Sequence, residues 1–162
     1  MSIEPDQIQF MKSQSVGDSP ANGGRMSDVE IPNEVKNNLW PDVPASERLA
    51  GSTKYRKVFI KIANPDNLKL ADARIFVATP TPAGDRVVFF EGTQRDTQSE
   101  VSGVAQTLYG CGLLNADVIA GASVITVNVE DPDDVIFNPG QMIRISNKSS
   151  VDDLVGVEEF VF

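Results

Sequence analysis

The sequence has 162 residues, of which 41% are hydrophobic, enough for one domain or slightly more with a real buried core. It contains no histidine and one cysteine, which removes the commonest general base and zinc ligand and excludes an internal disulfide. The net charge is −9 and residues 91–162 supply all of it, which argues against nucleic acid as a partner.

No apolar run approaches the roughly 20 residues that a membrane-spanning helix requires. The first ten residues, MSIEPDQIQF, lack the basic start and the apolar stretch of a signal peptide. The sequence therefore predicts a soluble protein made in a cytoplasm, with no membrane partner.

Residues 1–50 are predicted to form an extended, turn-rich arm, because apolar residues are sparse and turn formers are crowded together. A short helix is predicted over residues 5–14 and a second over residues 44–51, where Pro44 opens the turn and Gly51 closes it. The apolar set of the first helix is Ile3, Ile8, Phe10 and Met11.

Isolated apolar anchors lie among these turns: Phe10, Met26, Ile31, Leu39, Trp40 and Val43. A segment with separate anchors and no core of its own usually becomes ordered by lying on another surface. That surface belongs either to a neighbouring subunit or to the chain's own domain, and the sequence leaves both open.

From residue 52 onward the sequence alternates polar and apolar residues in short runs separated by turns. These runs predict strands over residues 53–64, 73–80, 85–92, 111–118, 123–129, 141–147 and 155–162. A helix broken by Gly103 is predicted within residues 93–110. The fold class is therefore mainly β, a small antiparallel β-barrel or sandwich over 52–162 that follows the extended N-terminal arm. The closing EEFVF stops in mid-strand, which favours continuation or pairing with another subunit.

No motif predicts a catalytic, metal or cofactor site. NGGR at 22–25 lacks the strand, helix and lysine of a phosphate-binding loop and predicts a tight turn. EDPDD at 130–134 lacks the glycine and ligand spacing of a calcium loop and predicts an acidic hairpin turn. Cys111, between two glycines, is interpreted as a free, half-buried structural thiol. Without histidine a triad is impossible, and no spacing singles out a carboxylate pair or a Ser–Lys dyad, so we expect no enzyme.

Residues 22–67 resemble the N-terminal region of a family of virion structural proteins of tailed bacteriophages and prophages. The shared features are a GGRM turn, an N-N-L-W-P-D-V run, an E-R pair, a glycine and an R-K-V-F strand. In this sequence they are Gly23 to Met26, Asn37 to Val43, Glu47 with Arg48, Gly51, and Arg56 to Phe59. The resemblance implies a structural role at the head–tail junction or in the tail, and many such proteins are longer than this chain.

Residues 118–162 are similar to a small β module common in phage structural proteins. The pattern is AGAxxIxV, an acidic turn, F-x-x-G-x-x-I-R-I and a closing strand with glutamate. The resemblance implies a small barrel-like unit in which Gly140 permits a turn and Phe137 plugs the interior.

The sequence and the resemblances together predict a virion protein assembled in the host bacterial cytoplasm, a collar or connector component at the head–tail neck. Its partners would be copies of itself in a ring and neighbouring portal, connector or tail proteins. The alternatives are a tail-tube, baseplate or capsid-decoration protein, a glycan-binding host-recognition module and, last, an enzyme that uses a pair of carboxylates. The predicted contact residues are Arg25, Met26, Leu39, Trp40, Arg56 and Lys57, although Trp40 alternatively plugs its own domain.

Overall fold

In a computed structural model of the chain, the residues described are 3–78, 81, 85–147 and 158–161. The chain divides into two compact units. The N-terminal unit comprises Met1–Ala73 with Gly92–Ala105, and the C-terminal unit comprises Arg74–Glu91 with Gln106–Phe162. The fold is mainly β, built from antiparallel sheets with two short α-helices.

The N-terminal unit is built on a three-stranded antiparallel sheet with the order β2-β1-β3. Its strands are β1 (Ile8–Ser15), β2 (Gly23–Glu30) and β3 (Val58–Ile62). The central strand β1 pairs with β3 over five consecutive residues and with β2 through a register interrupted by irregularities. The strand predicted over 53–64 is confirmed as β3.

The helix predicted over residues 5–14 is wrong. Only Pro5–Gln7 is helical, as a single 3-10 turn, and β1 begins at Ile8. The reason is tertiary, because β1 satisfies its backbone groups with a strand on each side, and this pairing outweighs a weak local helical pattern. Ile8 and Phe10 lie on one face of the strand and Met11 on the other, as strand geometry requires.

The sheet joins residues on both sides of the boundary predicted at residue 50. Met11 pairs with Phe59 and Phe10 with Ile60, so the first fifty residues supply two of the three strands. The structure divides the chain near residues 73 and 92, because the segment 92–105 packs with the N-terminal unit.

The NGGR segment opens β2 and does not form the predicted tight turn. Gly23 and Gly24 both have positive φ, of 107° and 79°, where glycine carries no steric penalty. A Cβ on Gly23 would lie 2.7 Å from the carbonyl oxygen of Asp96, so only glycine permits this approach of β2 to residues 96–97. The Gly24 N–H donates to the same Asp96 oxygen at 2.8 Å.

Two short helices are present in the N-terminal unit. Helix α1 spans Ala45–Ala50, capped by Pro44 and Gly51 as the sequence predicts. Helix α2 spans Gln98–Val101 and ends before Gly103, where the sequence predicts a break. At the start of α2 the Thr97 side chain accepts the backbone N–H of Glu100, and the Glu100 side chain accepts the backbone N–H of Thr97, which is a capping box.

The described residues of the C-terminal unit form two two-stranded antiparallel sheets. β4 (Leu113–Leu114) pairs with β5 (Val127–Asn128), and β6 (Ile143–Ser146) pairs with β7 (Glu158–Val161). Strands lie within three of the predicted ranges: β4, of two residues, within 111–118, β6 within 141–147 and β7 within 155–162. The strand predicted over 123–129 is shortened to the two residues of β5. The described residues of 73–80 and 85–92 form no strand and make one isolated bridge, between Phe89 and Tyr109.

No closed barrel is formed within the part of the chain that the structure describes. The turn predicted at Gly140 is confirmed, since its φ is 79° and the Gln141 N–H donates to the carbonyl of Asn138. Phe137 is 38% exposed and therefore does not plug an interior. Among the described residues the buried apolar side chains are Met11, Phe59 and Ile136, only the last of them in the C-terminal unit.

Candidate interaction surface

The six predicted contact residues all lie in the N-terminal unit, and the structure separates them into an inward pair and an outward group. Arg56 and Lys57, just before β3, point their charged ends at backbone carbonyls of the same unit. Arg25, Met26 and Trp40 are exposed, and Leu39 is half-buried beside Trp40. The prediction treated these residues as one set, but they have different roles in the fold.

Arg56 holds three separate segments of the N-terminal unit together. Its side chain is only 3% exposed, and its Nη1 donates to the carbonyl of Gly17 at 2.8 Å and to the carboxylate of Asp18 at 2.7 Å. Its Nε donates to the carbonyl of Leu39 at 3.1 Å. A guanidinium presents donors in a fixed fork, so one side chain can satisfy several carbonyls that are partly shielded from water.

A small ionic network surrounds this arginine. Lys54 lies 3.1 Å from the Asp18 carboxylate and 2.9 Å from the Glu47 carboxylate, which links the loop after β1 to helix α1. Hydrogen bonds from Arg56 and then Lys54 hold the pKa of Asp18 below its ordinary value of 3.8. Hydrogen bonds from Lys54 and then from Ser52 lower the pKa of Glu47. In turn, the carboxylates of Glu47 and Asp18 raise the pKa of Lys54.

Lys57 also makes its contacts within the N-terminal unit. Its Nζ donates to the Asp96 carbonyl at 2.9 Å and lies 5.2 Å from the centre of the Phe59 ring, within the range of a cation–π contact. Partial burial lowers the pKa of Lys57. The ammonium thus fixes the 92–105 segment against β3.

Asn22 fastens the start of β2 from within. It is 2% exposed, and its amide nitrogen donates to the carbonyl of Tyr55 at 2.8 Å and to the side chain of Gln98 at 3.2 Å. Its amide oxygen accepts the N–H of Gly17 at 3.3 Å. Asn22 is the first residue of NGGR, which sequence reasoning interpreted only as a tight turn, so its role in holding β2 was missed.

Trp40 is displayed on a loop that is fixed at several points. The Asn37 amide donates to the Asp42 carboxylate at 2.9 Å, and the Asn38 amide donates to the carbonyl of Pro32 at 2.6 Å. Arg56 holds the backbone of Leu39 next to it. Trp40 is nevertheless 38% exposed, so the fold fixes the loop and covers the residue only in part. The six residues 37–42 form this loop (loop 37–42).

An apolar face of the sheet was missed by the sequence reasoning. Phe10 and Ile60 are directly paired on one face of β1 and β3 and are 42% and 49% exposed. Ile8 and Ile62 continue the same face and are half-buried. The alternation in β3 was visible in the sequence, but the matching alternation in β1 was interpreted as part of a helix.

The C-terminal unit contains a pocket of about 220 Å³ that is partly open to solvent. Its lining combines valine, leucine and isoleucine residues and Cys111 with polar and charged residues, among them Asp85, Arg86 and Glu130. Arg86 forms ion pairs with Asp131, at 3.2 Å, and with Asp134 at its rim. EDPDD forms the predicted turn, with the Asp134 N–H donating to the carbonyl of Asp131.

Cys111 is free and half-buried, as the sequence predicts. Burial, and secondarily the charge of Glu130, raise the pKa of its thiol. A raised pKa keeps the thiol protonated at neutral pH, and the protonated form is a poor nucleophile. The environment of Cys111 therefore does not activate it for covalent catalysis.

The two units differ in charge. Of the chain's charged residues, ten basic and twelve acidic ones belong to the N-terminal unit, and four basic and eleven acidic ones to the C-terminal unit. The C-terminal unit therefore carries −7 of the net −9. Such a field favours a basic partner surface and disfavours a polyanion.

The described residues contain no cluster of three or more histidine, cysteine or carboxylate side chains able to hold a metal ion. They also contain no helix long and apolar enough to cross a membrane. Comparison of the chain with family models, with curated proteins and with solved structures gave no match.

Proposed function

We propose that this chain is a structural protein of a tailed-phage particle, a collar or connector component at the head–tail neck that acts by assembly with copies of itself and with neighbouring virion proteins. The observation that carries the proposal is the amount of apolar surface that the chain leaves uncovered on both units. The likeness of residues 22–67 and 118–162 to virion structural proteins directs that assembly to a phage particle.

The uncovered apolar surface is spread over both units. On the N-terminal unit it includes the sheet face of Phe10 and Ile60 and the ring of Trp40. On the C-terminal unit it includes the most exposed members of a long series: Ile75, Leu113, Ile119, Val124 and Val135. Single exposed apolar residues are ordinary, but a series of this length on two units with so few buried side chains is typical of surfaces that other proteins cover.

The C-terminal unit depends most on partners. Within the residues that the structure describes, its strands run over two to four residues, and an isolated two-stranded sheet is marginally stable in water. Strands of neighbouring subunits would complete these sheets by edge pairing, and a barrel or sandwich over 52–162 would form in the assembly. The segment between β2 and β3, which carries loop 37–42 and α1, would then serve as the extended arm on a neighbour.

The experiment that tests this function is the location of the protein in purified particles. An antibody to the chain, detected by gold labelling in electron microscopy, should mark the head–tail neck, and quantitative mass spectrometry should give a copy number typical of a ring. Labelling along the tail or over the capsid would favour the tail-tube or decoration alternative. Absence of the protein from particles whose host cells make it abundantly would contradict the proposal.

A further inference from the structure

We propose that Trp40 of one copy inserts into the pocket of the C-terminal unit of a second copy. This inference rests on the proposed function, because it supplies the contact by which copies would join in a ring. It commits to one occupant of the pocket, the indole displayed on loop 37–42.

The pocket has the size of a side chain and not of a large ligand. At about 220 Å³ it lies below the roughly 300–1,000 Å³ of typical small-molecule sites. An apolar cavity of about 150 Å³ accepts a benzene ring, so the larger volume here suits a bicyclic indole. Val77, Val88, Val129 and Ile136 offer aliphatic surface to the faces of such a ring.

The polar groups at the pocket match the single polar group of tryptophan. Indole carries one N–H, which only donates, so a buried indole needs an acceptor. Asp85 and Glu130 are among the residues that line the pocket, and their side chains carry carboxylates, which accept hydrogen bonds. Asp131 and Asp134, also at the pocket, are paired with Arg86.

Trp40 meets the requirements of an anchor residue. Its loop is fixed by the Asn37–Asp42 and Asn38–Pro32 hydrogen bonds before any partner is met, so little conformational entropy would be lost on docking. Exposed tryptophans that enter pockets are among the strongest contributors to protein interfaces. Within the described part of the chain its ring stacks on no other aromatic side chain.

The anchor lies in the N-terminal unit and the pocket in the C-terminal unit, so the proposed contact joins two different patches of identical chains. Two copies that exchange this contact reciprocally form a two-fold dimer. When the contact repeats head to tail it is heterologous, and it closes into a ring if the rotation closes and extends as an open filament if it does not. In the proposed collar or connector the contact repeats head to tail and closes.

The test uses two full-length variants that are complementary. In the first, Trp40→Ala removes the anchor and leaves the pocket. In the second, Cys111→Phe fills the pocket and leaves the anchor; alkylation of Cys111 in the wild-type chain gives the same blockage without a substitution. Because Trp40 is the sole tryptophan, its fluorescence reports on the anchor alone.

We expect wild-type chains to associate with a blue shift of Trp40 emission as concentration rises. Each variant alone should associate at least about 30-fold more weakly, as truncation of a strong anchor implies. Mixed, the two should form a one-to-one dimer and no larger species, and the emission of the pocket-filled variant should shift only when the Trp40→Ala chain is added. Leu49→Ala, which truncates a 92% exposed apolar residue on α1, is the matched control and should associate like the wild type.

The outcomes separate this inference from the proposed function. Association that persists in Trp40→Ala, or that leaves Trp40 emission unchanged, overturns the docking but not assembly at the neck. Emission that is blue-shifted at every dilution assigns the indole to its own chain, and a shift seen only with other particle proteins assigns it to a different partner; either result overturns the inference. A chain that stays monomeric also overturns it, while particle labelling still decides the function.

Discussion

Arg56 is the residue on which the N-terminal unit depends most. Arg56→Ala removes the donors from the carbonyls of Gly17 and Leu39 and the partner from Asp18. The two carbonyls are part-buried, so water replaces part of what is lost, and we expect a decrease of about 1–3 kcal/mol in the free energy of unfolding. Chemical denaturation followed by Trp40 fluorescence measures it, since that residue lies in the same unit.

The matched control is Arg48→Ala, which removes an exposed arginine from α1 and should change stability by no more than about 0.5 kcal/mol. Arg56→Lys keeps the charge but cannot reproduce the fork of donors, so it should recover only part of the loss. Equal stability of Arg56→Ala and Arg48→Ala would show that the arginine is not a structural clamp, and it would return to the set of contact residues.

The ionic network around Lys54 predicts a defined dependence of stability on pH. The pKa of Asp18 is lowered in the folded chain, so its contribution is complete above the ordinary value of 3.8 and is lost as pH falls through the folded value. The pKa of Lys54 is raised, so its contribution is complete below 10.5 and is lost as pH rises through the folded value. Asp18→Asn should therefore be less stable than the wild type at neutral pH.

In acid the stabilities of Asp18→Asn and the wild type should converge, as measured by urea denaturation at a series of pH values. Asp28→Asn, which neutralises an exposed carboxylate on β2, serves as the control and should show no such convergence. A difference between Asp18→Asn and the wild type that stays constant with pH would mean that Asp18 is not stabilised by its basic neighbours.

Among the elements, β1 gives the sharpest contrast between neighbouring positions. Met11 is 3% exposed and faces Phe59 across the sheet, whereas Phe10 is 42% exposed on the opposite face. Met11→Ala should lower the free energy of unfolding by roughly 2–5 kcal/mol, as for other large-to-small core substitutions. Phe10→Ala, on the adjacent residue, should cost clearly less in denaturation experiments. A helix over residues 5–14 would not produce this alternation, and equal costs would contradict the strand.

The elements that sequence reasoning found are those with a strong local signal. Helix α1 is bounded by Pro44 and Gly51, and β3 shows period-two alternation, so both could be predicted without knowledge of the fold. Strand β1 could not, because its identity as a strand is decided by β2 and β3, which are distant in sequence. Strand lengths in the C-terminal unit were overestimated for the same reason, because the extent of a strand depends on the neighbouring strands that it pairs with and not on its composition.

The predicted contact residues were chosen by residue type, and residue type does not show whether a side chain points into its own unit or toward solvent. Arg56 and Lys57 were predicted as contact residues, and the structure adds that long-range hydrogen bonds engage both within their unit. Trp40 was predicted as a contact residue or as a plug of its own domain; it is 38% exposed, on a loop that Asn37, Asn38 and Arg56 hold together. The pocket at Cys111 joins segments far apart in the sequence and had no local signature.

In the molecule as a whole, the sequence and the structure differ on which part of the chain depends most on a partner. The sequence assigned this dependence to residues 1–50, but β1 and β2 within them belong to a three-stranded sheet with buried Met11 and Ser13. The C-terminal unit has shorter strands, one buried apolar side chain among its described residues and most of the negative charge. Assembly should therefore stabilise the C-terminal unit more than the N-terminal unit.

Hydrogen exchange measures this difference directly. In the free chain, amides that join β1 to β3 should be the most protected, and those of β4 and β5 should exchange almost as fast as in an unfolded chain. In purified particles or in the self-associated state, exchange in the C-terminal unit should slow strongly while that of β1 changes little. Helix α1, six residues long and without a buried side chain, provides an internal control that should exchange rapidly in the free chain. Strong protection of β4 and β5 in the free chain would mean that this unit is stable without partners, and the physical case for assembly would then depend on the N-terminal surface alone.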